Sequence, residues 1–148
     1  MIKKNHLLLA CAFLFSAPAW GQTLSPSSIP GVVTKALKQK FPASSNAKVT
    51  WERENGNYEA NWGGKSGEDH SIQFSPSGAF VNMEIAISAS QLPKGAVSYV
   101  AAHDKGTKIS EAGKITDAQG TVTYEVEMKG KDLIFDSQGN FLKSGSGD

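Results

Sequence analysis

The sequence predicts an α+β domain: two tandem helix-plus-four-strand repeats forming one curved antiparallel sheet of about eight strands, with two helices on one face. Three observations carry this. A helix signal opening on a branched apolar residue and proline occurs twice, at Ile29-Pro30 and Leu92-Pro93. Segments with period-two alternation follow each helix, Trp51, Tyr58, Ala60 and Trp62 in one case and Val122, Tyr124, Val126 and Met128 in the other. Each unit closes on the same strand-turn-strand pattern, Ile72-Gln73-Phe74-Ser75-Pro76-Ser77-Gly78-Ala79-Phe80 against Leu133-Ile134-Phe135-Asp136-Ser137-Gln138-Gly139-Asn140-Phe141.

Before the first repeat, Lys3 and Lys4 precede an apolar run from Leu7 to Phe15 and the small-residue stretch Ser16 to Gly21, the order of a secretory signal peptide. The run is shorter than the roughly 20 residues a spanning helix needs, so residues 1–21 read as a leader and not as a membrane span. Ala19 and Gly21 suit cleavage before Gln22, while Ala17 and Ala19 offer a second cut before Trp20. Cys11, the one cysteine, loosely fits a lipoprotein acylation site, but the apolar run continues past it through Phe15 and it reads better as part of the signal core. Periplasmic or secreted localisation follows.

Removing the leader takes two lysines from fifteen basic residues and leaves thirteen against fourteen acidic ones, a net charge of −1 with His neutral. That balance gives no basic excess for nucleic acid or anionic lipid. Without cysteine, the mature chain depends on packing for stability. The expected organisation is a single domain over 22–142, with repeats at about 28–87 and 90–142 sharing one core, and a Gly/Ser-rich flexible tail at 143–148.

Within each repeat the helix comes first. Proline suits a first helical turn, with Ser28 and Ser90 or Gln91 where a cap is wanted. Ile29, Val33, Ala36, Leu37 and Phe41 recur at three- and four-residue steps. The first two strands are joined by Asn55-Gly56-Asn57, hairpin-turn chemistry whose counterpart in the second repeat is Asp117 to Gly120. Trp51 and Trp62 share the parity of the apolar positions and read as core rather than as an exposed ligand platform. The opposite parity collects Thr50, Glu52, Glu54, Glu59, Asn61, Ser71, Gln73, Asn82, Glu84, Thr123, Glu125 and Glu127 on a helix-free face. Glu52, Glu54, Glu59, Asn61, Gln73, Glu84, Glu125 and Glu127 are the candidate partner-binding residues, with plain solvation of one wet sheet face as the alternative.

No catalytic, metal or cofactor site is expected. His70 and His103 fall in different repeats without ligand spacing, and no serine occupies a nucleophile elbow. Asp136 to Gly139 reads as a turn and not a calcium loop, and Gly63-Gly64 as a flexible hairpin loop and not a phosphate cradle.

Ile29-Pro30 with the Phe41-Pro42 helix exit, Trp51-Glu52, Tyr58-Glu59-Ala60, Phe74 to Gly78, Leu92-Pro93, Tyr124 to Glu127 and Phe135 to Gly139 together resemble the PepSY-like family, whose members resemble the beta-lactamase inhibitor protein in fold. The second repeat departs from the pattern at Ala101 to Gly106, which lacks an aromatic-proline exit. The resemblance implies a secreted or periplasmic domain without established catalysis, supposed to bind or restrain another protein, and it transfers no functional residue. The expected function is therefore a non-enzymatic interaction module that binds or inhibits an envelope protein or peptide, with a small-ligand carrier or envelope sensor as the alternative. The leader reading is tested by the intact mass of the exported protein, which should match a chain starting at Gln22. A mass corresponding to an acylated Cys11 start would refute it.

Overall fold

The computed structural model describes residues 23–65 and 67–145. The leader, its cleavage positions and Cys11 lie outside the described residues. Two ten-residue helices, α1 (Gly31–Lys40) and α2 (Lys94–His103), alternate with β1 (Thr50–Glu54), β2 (Asn57–Trp62), β3 (His70–Phe74), β4 (Phe80–Ala86), β5 (Ile109–Asp117), β6 (Val122–Met128), β7 (Lys131–Asp136) and β8 (Phe141–Gly145). The strands form one open antiparallel sheet in simple sequential order, β4 pairing with β5 across the helix that separates them. Among the described residues no helix is long and apolar enough to cross a membrane.

Both helices begin directly after proline, and neither has a side-chain cap. The serines expected as caps instead belong to short 3-10 turns. Ser28 ends the turn Pro26–Ser28, and Ser90 lies in the turn Ala89–Gln91, where the Ser88 N–H donates to Gln91 Oε1 at 2.9 Å. Proline fixes the helical φ at the first turn, so each helix starts without help from a hydroxyl. α1 stops where Pro42 follows Phe41, whose N–H donates to the Leu37 carbonyl at 2.8 Å. α2 stops at Asp104, followed by Gly106 at φ +81°.

Cross-strand register places both helices on the same side. Trp51, Ala60, Ile72, Met83, Thr116 and Val122 are successive partners from β1 to β6, hence on one face. Val33 and Leu37 of α1 pack there with Trp51, Tyr58, Ala60, Trp62, Ile72 and Phe74, while Ala96 and Val100 of α2 pack with Ala112, Val126, Met128, Leu133 and Phe135. The expected single core is thus two clusters, one beneath each helix, joined by the β4–β5 ladder. Each ten-residue helix, about 15 Å long, covers its own strands. Trp51 and Trp62 are buried in the first cluster, as their parity predicts.

The repeats match in detail. After the turns at Ser75–Ala79 and Asp136–Asn140 the register shifts by one residue, pairing Phe74 with Phe80 and Phe135 with Phe141. This bulge returns both phenylalanines of each pair to the helix side. The final strand runs through Gly145, with Leu133 opposite Ser144 and Asp132 opposite Gly145, so residues 143–145 of the expected tail belong to the sheet.

Gly78 and Gly139, both with positive φ, sit where these turns press on the helix starts. A Cβ at Gly139 would lie 2.7 Å from the Ala96 nitrogen and 2.9 Å from Pro93 Cβ, whereas one at Gly120, with a similar φ, would meet nothing within 4 Å. Gly120→Ala should therefore cost about 1 kcal/mol, from backbone strain alone. Gly139→Ala should cost about 3 kcal/mol or more, because backbone must also move. Urea unfolding of the two variants checks this; equal losses would mean that the turn does not brace the helix.

Candidate functional site: the helix-free sheet face

The other side of the sheet is built in rows. Glu52, Glu59, Gln73, Asn82 and Asp117 are successive partners across β1 to β5. The next row is Thr50, Asn61, Ser71, Glu84, Ile115, Thr123 and Asp136. A third runs Ala86, Gly113, Glu125, Ile134 and Lys143, and a fourth Glu111, Glu127, Asp132 and Gly145. Glu54 lies at the end of β1, opposite Asn57. All eight candidate residues therefore lie on one face, and the register of adjacent strands brings them side by side.

Their surroundings differ from those of an ordinary solvated surface. Asn61, Gln73, Asn82 and Glu125 are buried, and Glu59 and Glu84 are half-buried. Gln73 Nε2 donates to Glu54 Oε2 and also bonds Glu59, while Glu59 shares a hydrogen bond with Glu54. Glu84 and Glu125 form a second carboxyl pair. Glu84 reaches it by leaning over Gly113, where a Cβ would overlap Glu84 Oε1 at 2.0 Å. Two isoleucines, Ile115 and Ile134, are buried on this face at 3% and 7% exposure and help exclude water from the carboxyls.

Burial is the main cause of the electrostatic perturbation, with neighbouring carboxylates adding to it. From an ordinary value of 4.5, desolvation followed by repulsion from Glu54, Glu52 and Glu84 pushes Glu59 up to about 8. Glu125 is pushed to about 9 by desolvation and then by Glu84. Desolvation also raises Glu84 to about 7, although the hydrogen bond from Glu125 opposes the rise. At neutral pH each hydrogen-bonded pair, Glu84 with Glu125 and Glu54 with Glu59, thus retains a proton that belongs to the pair. Glu52 and Glu54 are raised less. The centre of the face is a hydrogen-bonded network holding protons, and it carries less negative charge than its composition suggests.

Parity along β1, β2, β3, β4 and β6 finds the glutamates but not Gly113, Ile115 or Ile134, which stand on β5 and β7. The alternation Ile109, Glu111, Gly113, Ile115, Asp117 was the available signal, disguised by the register shift between Ile109 and Glu111. The histidines lie elsewhere. His70 stacks on Trp62 with ring centroids 5.2 Å apart, and His103 stacks on Tyr99 while its Nδ1 lies 2.9 Å from the Tyr99 carbonyl oxygen. Asp136 is committed to its turn, accepting from the Gln138 and Asn140 N–H groups at 2.9 and 2.8 Å, and hydrogen bonds led by those from Asn140 hold its pKa below the ordinary value.

A raised carboxyl pKa makes the folded chain keep protons that the unfolded chain has released. Stability should accordingly be highest near pH 5 and decline as pH climbs through the values near 7, 8 and 9 of Glu84, Glu59 and Glu125. Melting temperatures at pH 5, 7 and 9 should fall for the wild type and stay flatter for the double variant Glu59→Gln, Glu125→Gln. A wild-type melting temperature that rises over this interval would contradict the buried-proton reading.

Residues 62–143, more than half of the chain, match the family described as "Putative beta-lactamase-inhibitor-like, PepSY-like". No curated protein matches the sequence. The fold is similar to that of a "putative periplasmic" protein from Bacteroides eggerthii, with TM-score 0.68 and 17% identity over 79% of this chain and 88% of that one. It is also similar to a DUF2874 family protein from Bacteroides uniformis, with TM-score 0.67 and 18% identity over 79% and 88% of the two chains. A BLIP-like protein from Bacteroides fragilis gives TM-score 0.61 and 18% identity over 83% of this chain and 87% of that one. The repeat, the helix-backed eight-stranded sheet and the sequence match together make this chain a member of the beta-lactamase-inhibitor-like, PepSY-like family.

Proposed function

We propose that this chain is a non-catalytic module of the bacterial periplasm that binds a protein partner through the helix-free sheet face and restrains that partner by occupying it. One observation carries the reading: the face concentrates carboxyls and amides that are desolvated against each other, although the fold requires nothing of the kind there. The helix side supplies the apolar burial. An antiparallel sheet can leave its other side to water with well-hydrated, mixed side chains. Crowding like-charged groups out of water costs stability, and perturbed carboxyls gather where a surface is shaped for a ligand. The leader predicted from the sequence, the family membership and the "periplasmic" description of a similar structure support the compartment. Restraint of a partner rests on the family description and on the likeness to the BLIP-like fold.

Binding would follow from geometry already in place. Eight paired strands form a rigid platform whose neighbouring strands stand about 4.8 Å apart, so little chain ordering accompanies association. Glu52, Glu54 and Glu127 surround the protonated centre and would act on encounter through charge. With a captured partner in hand, the variant Glu52→Gln, Glu54→Gln, Glu127→Gln should associate more slowly and with a weaker salt dependence than the wild type, at an undiminished melting temperature. Unchanged kinetics at both low and high salt would move the interface away from this face.

A further inference from the structure

The internal repeat supplies a template for the outer edge of β8. Phe141, Lys143, Ser144 and Gly145 take the places against β7 that Phe80, Asn82, Met83 and Glu84 take against β3, with Leu142 and Val81 as the matching bulge residues. In the first repeat this last strand is covered. β5 pairs along it, with Asp117 opposite Asn82, Thr116 opposite Met83 and Ile115 opposite Glu84. Val81 takes part through its carbonyl, which accepts from the Ala118 N–H at 3.0 Å. β8 is the last strand of the sheet, and among the described residues no strand pairs along its outer side.

Two apolar side chains are exposed at that edge, Phe141 at 38% and Leu142 at 52%. The unlike helix exits account for the first. Phe41, the C-cap of α1, packs on Phe80 with ring centroids 6.2 Å apart, whereas the C-cap of α2 is Asp104, which pairs with Lys131. Phe141 has Tyr99 stacked on it at 4.6 Å but no ring from a helix exit. A strand edge that carries apolar side chains is suited to adding a strand from another chain, main-chain pairing giving affinity and side chains giving specificity.

A second copy of this chain does not fit the template. Arg53 faces Tyr58 as Lys114 faces Tyr124, so in the register of β5 a second copy's β1 would present Glu54, Asn55 and Gly56 to β8. β1 ends at Glu54, and the next two residues form its hairpin turn. Two β8 strands paired antiparallel about their midpoints would set Lys143 against Lys143, and like charges directly opposite are destabilising.

We propose that the β8 edge receives an extended segment of a polypeptide partner as an added antiparallel strand, in the register that β5 holds on β4, with an apolar side chain of that segment covering Phe141. This site does not depend on the reading of the helix-free face.

The test is an NMR titration of the isotope-labelled protein with the peptide acetyl-Lys-Ile-Thr-Asp-Phe-amide, which copies residues 114–117 of β5 and places phenylalanine where Ala118 stands, on the side of Phe141. A parallel titration uses the peptide methylated on the phenylalanine nitrogen, which removes the donor that Ala118 supplies to Val81. Saturable shifts at the backbone amides of Leu142 to Gly145 are expected with the first peptide. Affinity should be about tenfold lower for the methylated one, the factor for one lost hydrogen bond. Leu142→Lys should lower affinity by a similar factor at an unchanged melting temperature, because the position is exposed and lysine at a strand edge opposes pairing. Absence of saturable shifts along β8, equal affinity for the two peptides, or undiminished affinity in Leu142→Lys would each overturn the proposal. So would a dimer, seen by sedimentation equilibrium and abolished by Leu142→Lys, since a second copy would then occupy the edge. The Glu52, Glu54, Glu127 variant leaves β8 unaltered, so failure at the edge and failure of the face are read separately.

Discussion

Everything in this molecule depends on continuous antiparallel pairing from β1 to β8. A strand alternates sides at every residue, so a slip of one position anywhere would exchange the two faces. The register holds because each row on the helix side brings apolar side chains together, Trp51 with Ala60 and Ile72 in the first repeat and Ala112 with Val126 and Leu133 in the second. The turns at Ser75–Ala79 and Asp136–Asn140 then fix the closing strands, since their glycines fit against the helix starts only at one height. One-residue bulges after both turns preserve the aromatic pairs Phe74 with Phe80 and Phe135 with Phe141.

The same register creates a conflict on the opposite side. It aligns carboxyls from β1, β2, β4 and β6 in neighbouring rows, and the buried Ile115 and Ile134 keep water from their centre. Full ionisation there would set desolvated like charges against one another. The network resolves this by retaining protons within the Glu54–Glu59 and Glu84–Glu125 pairs, which turns repulsion into hydrogen bonds. The surface is therefore organised and costly at once, which distinguishes it from a sheet side that merely faces solvent. Asn61 makes the distinction sharper, because its buried Oδ1 has no hydrogen-bond partner among the described residues.

Likeness to the solved Bacteroides structures extends over most of the chain at 17–18% identity, and at that distance it establishes fold and no more. In this chain that fold rests on turn glycines, proline-opened helices and aromatic closing strands. The open rows carry glutamates at the equivalent positions 59 and 125, with Gln73 beside one and Ile134 beside the other.

Much of this was legible in the chain alone. Proline followed by three- and four-residue apolar spacing specified two short helices, alternation specified the strands, and the repeated Phe-to-Gly turn specified that one unit occurs twice, because these are local constraints readable within about ten residues. Parity likewise sorted Trp51 and Trp62 to the core side and Glu52, Glu54, Glu59, Glu84, Glu125 and Glu127 to the other. Which groups would be dehydrated was a different matter. Burial of Glu59, Glu84 and Glu125, the space Gly113 leaves for Glu84, and the unpartnered oxygen of Asn61 all arise from neighbours contributed by strands distant in sequence. The division of the core into two clusters, and the continuation of β8 through Gly145, were also decided by tertiary pairing. Local sequence determined the face on which each side chain stands; only the assembled sheet determined how much water remains around it, because solvation depends on all the rows at once.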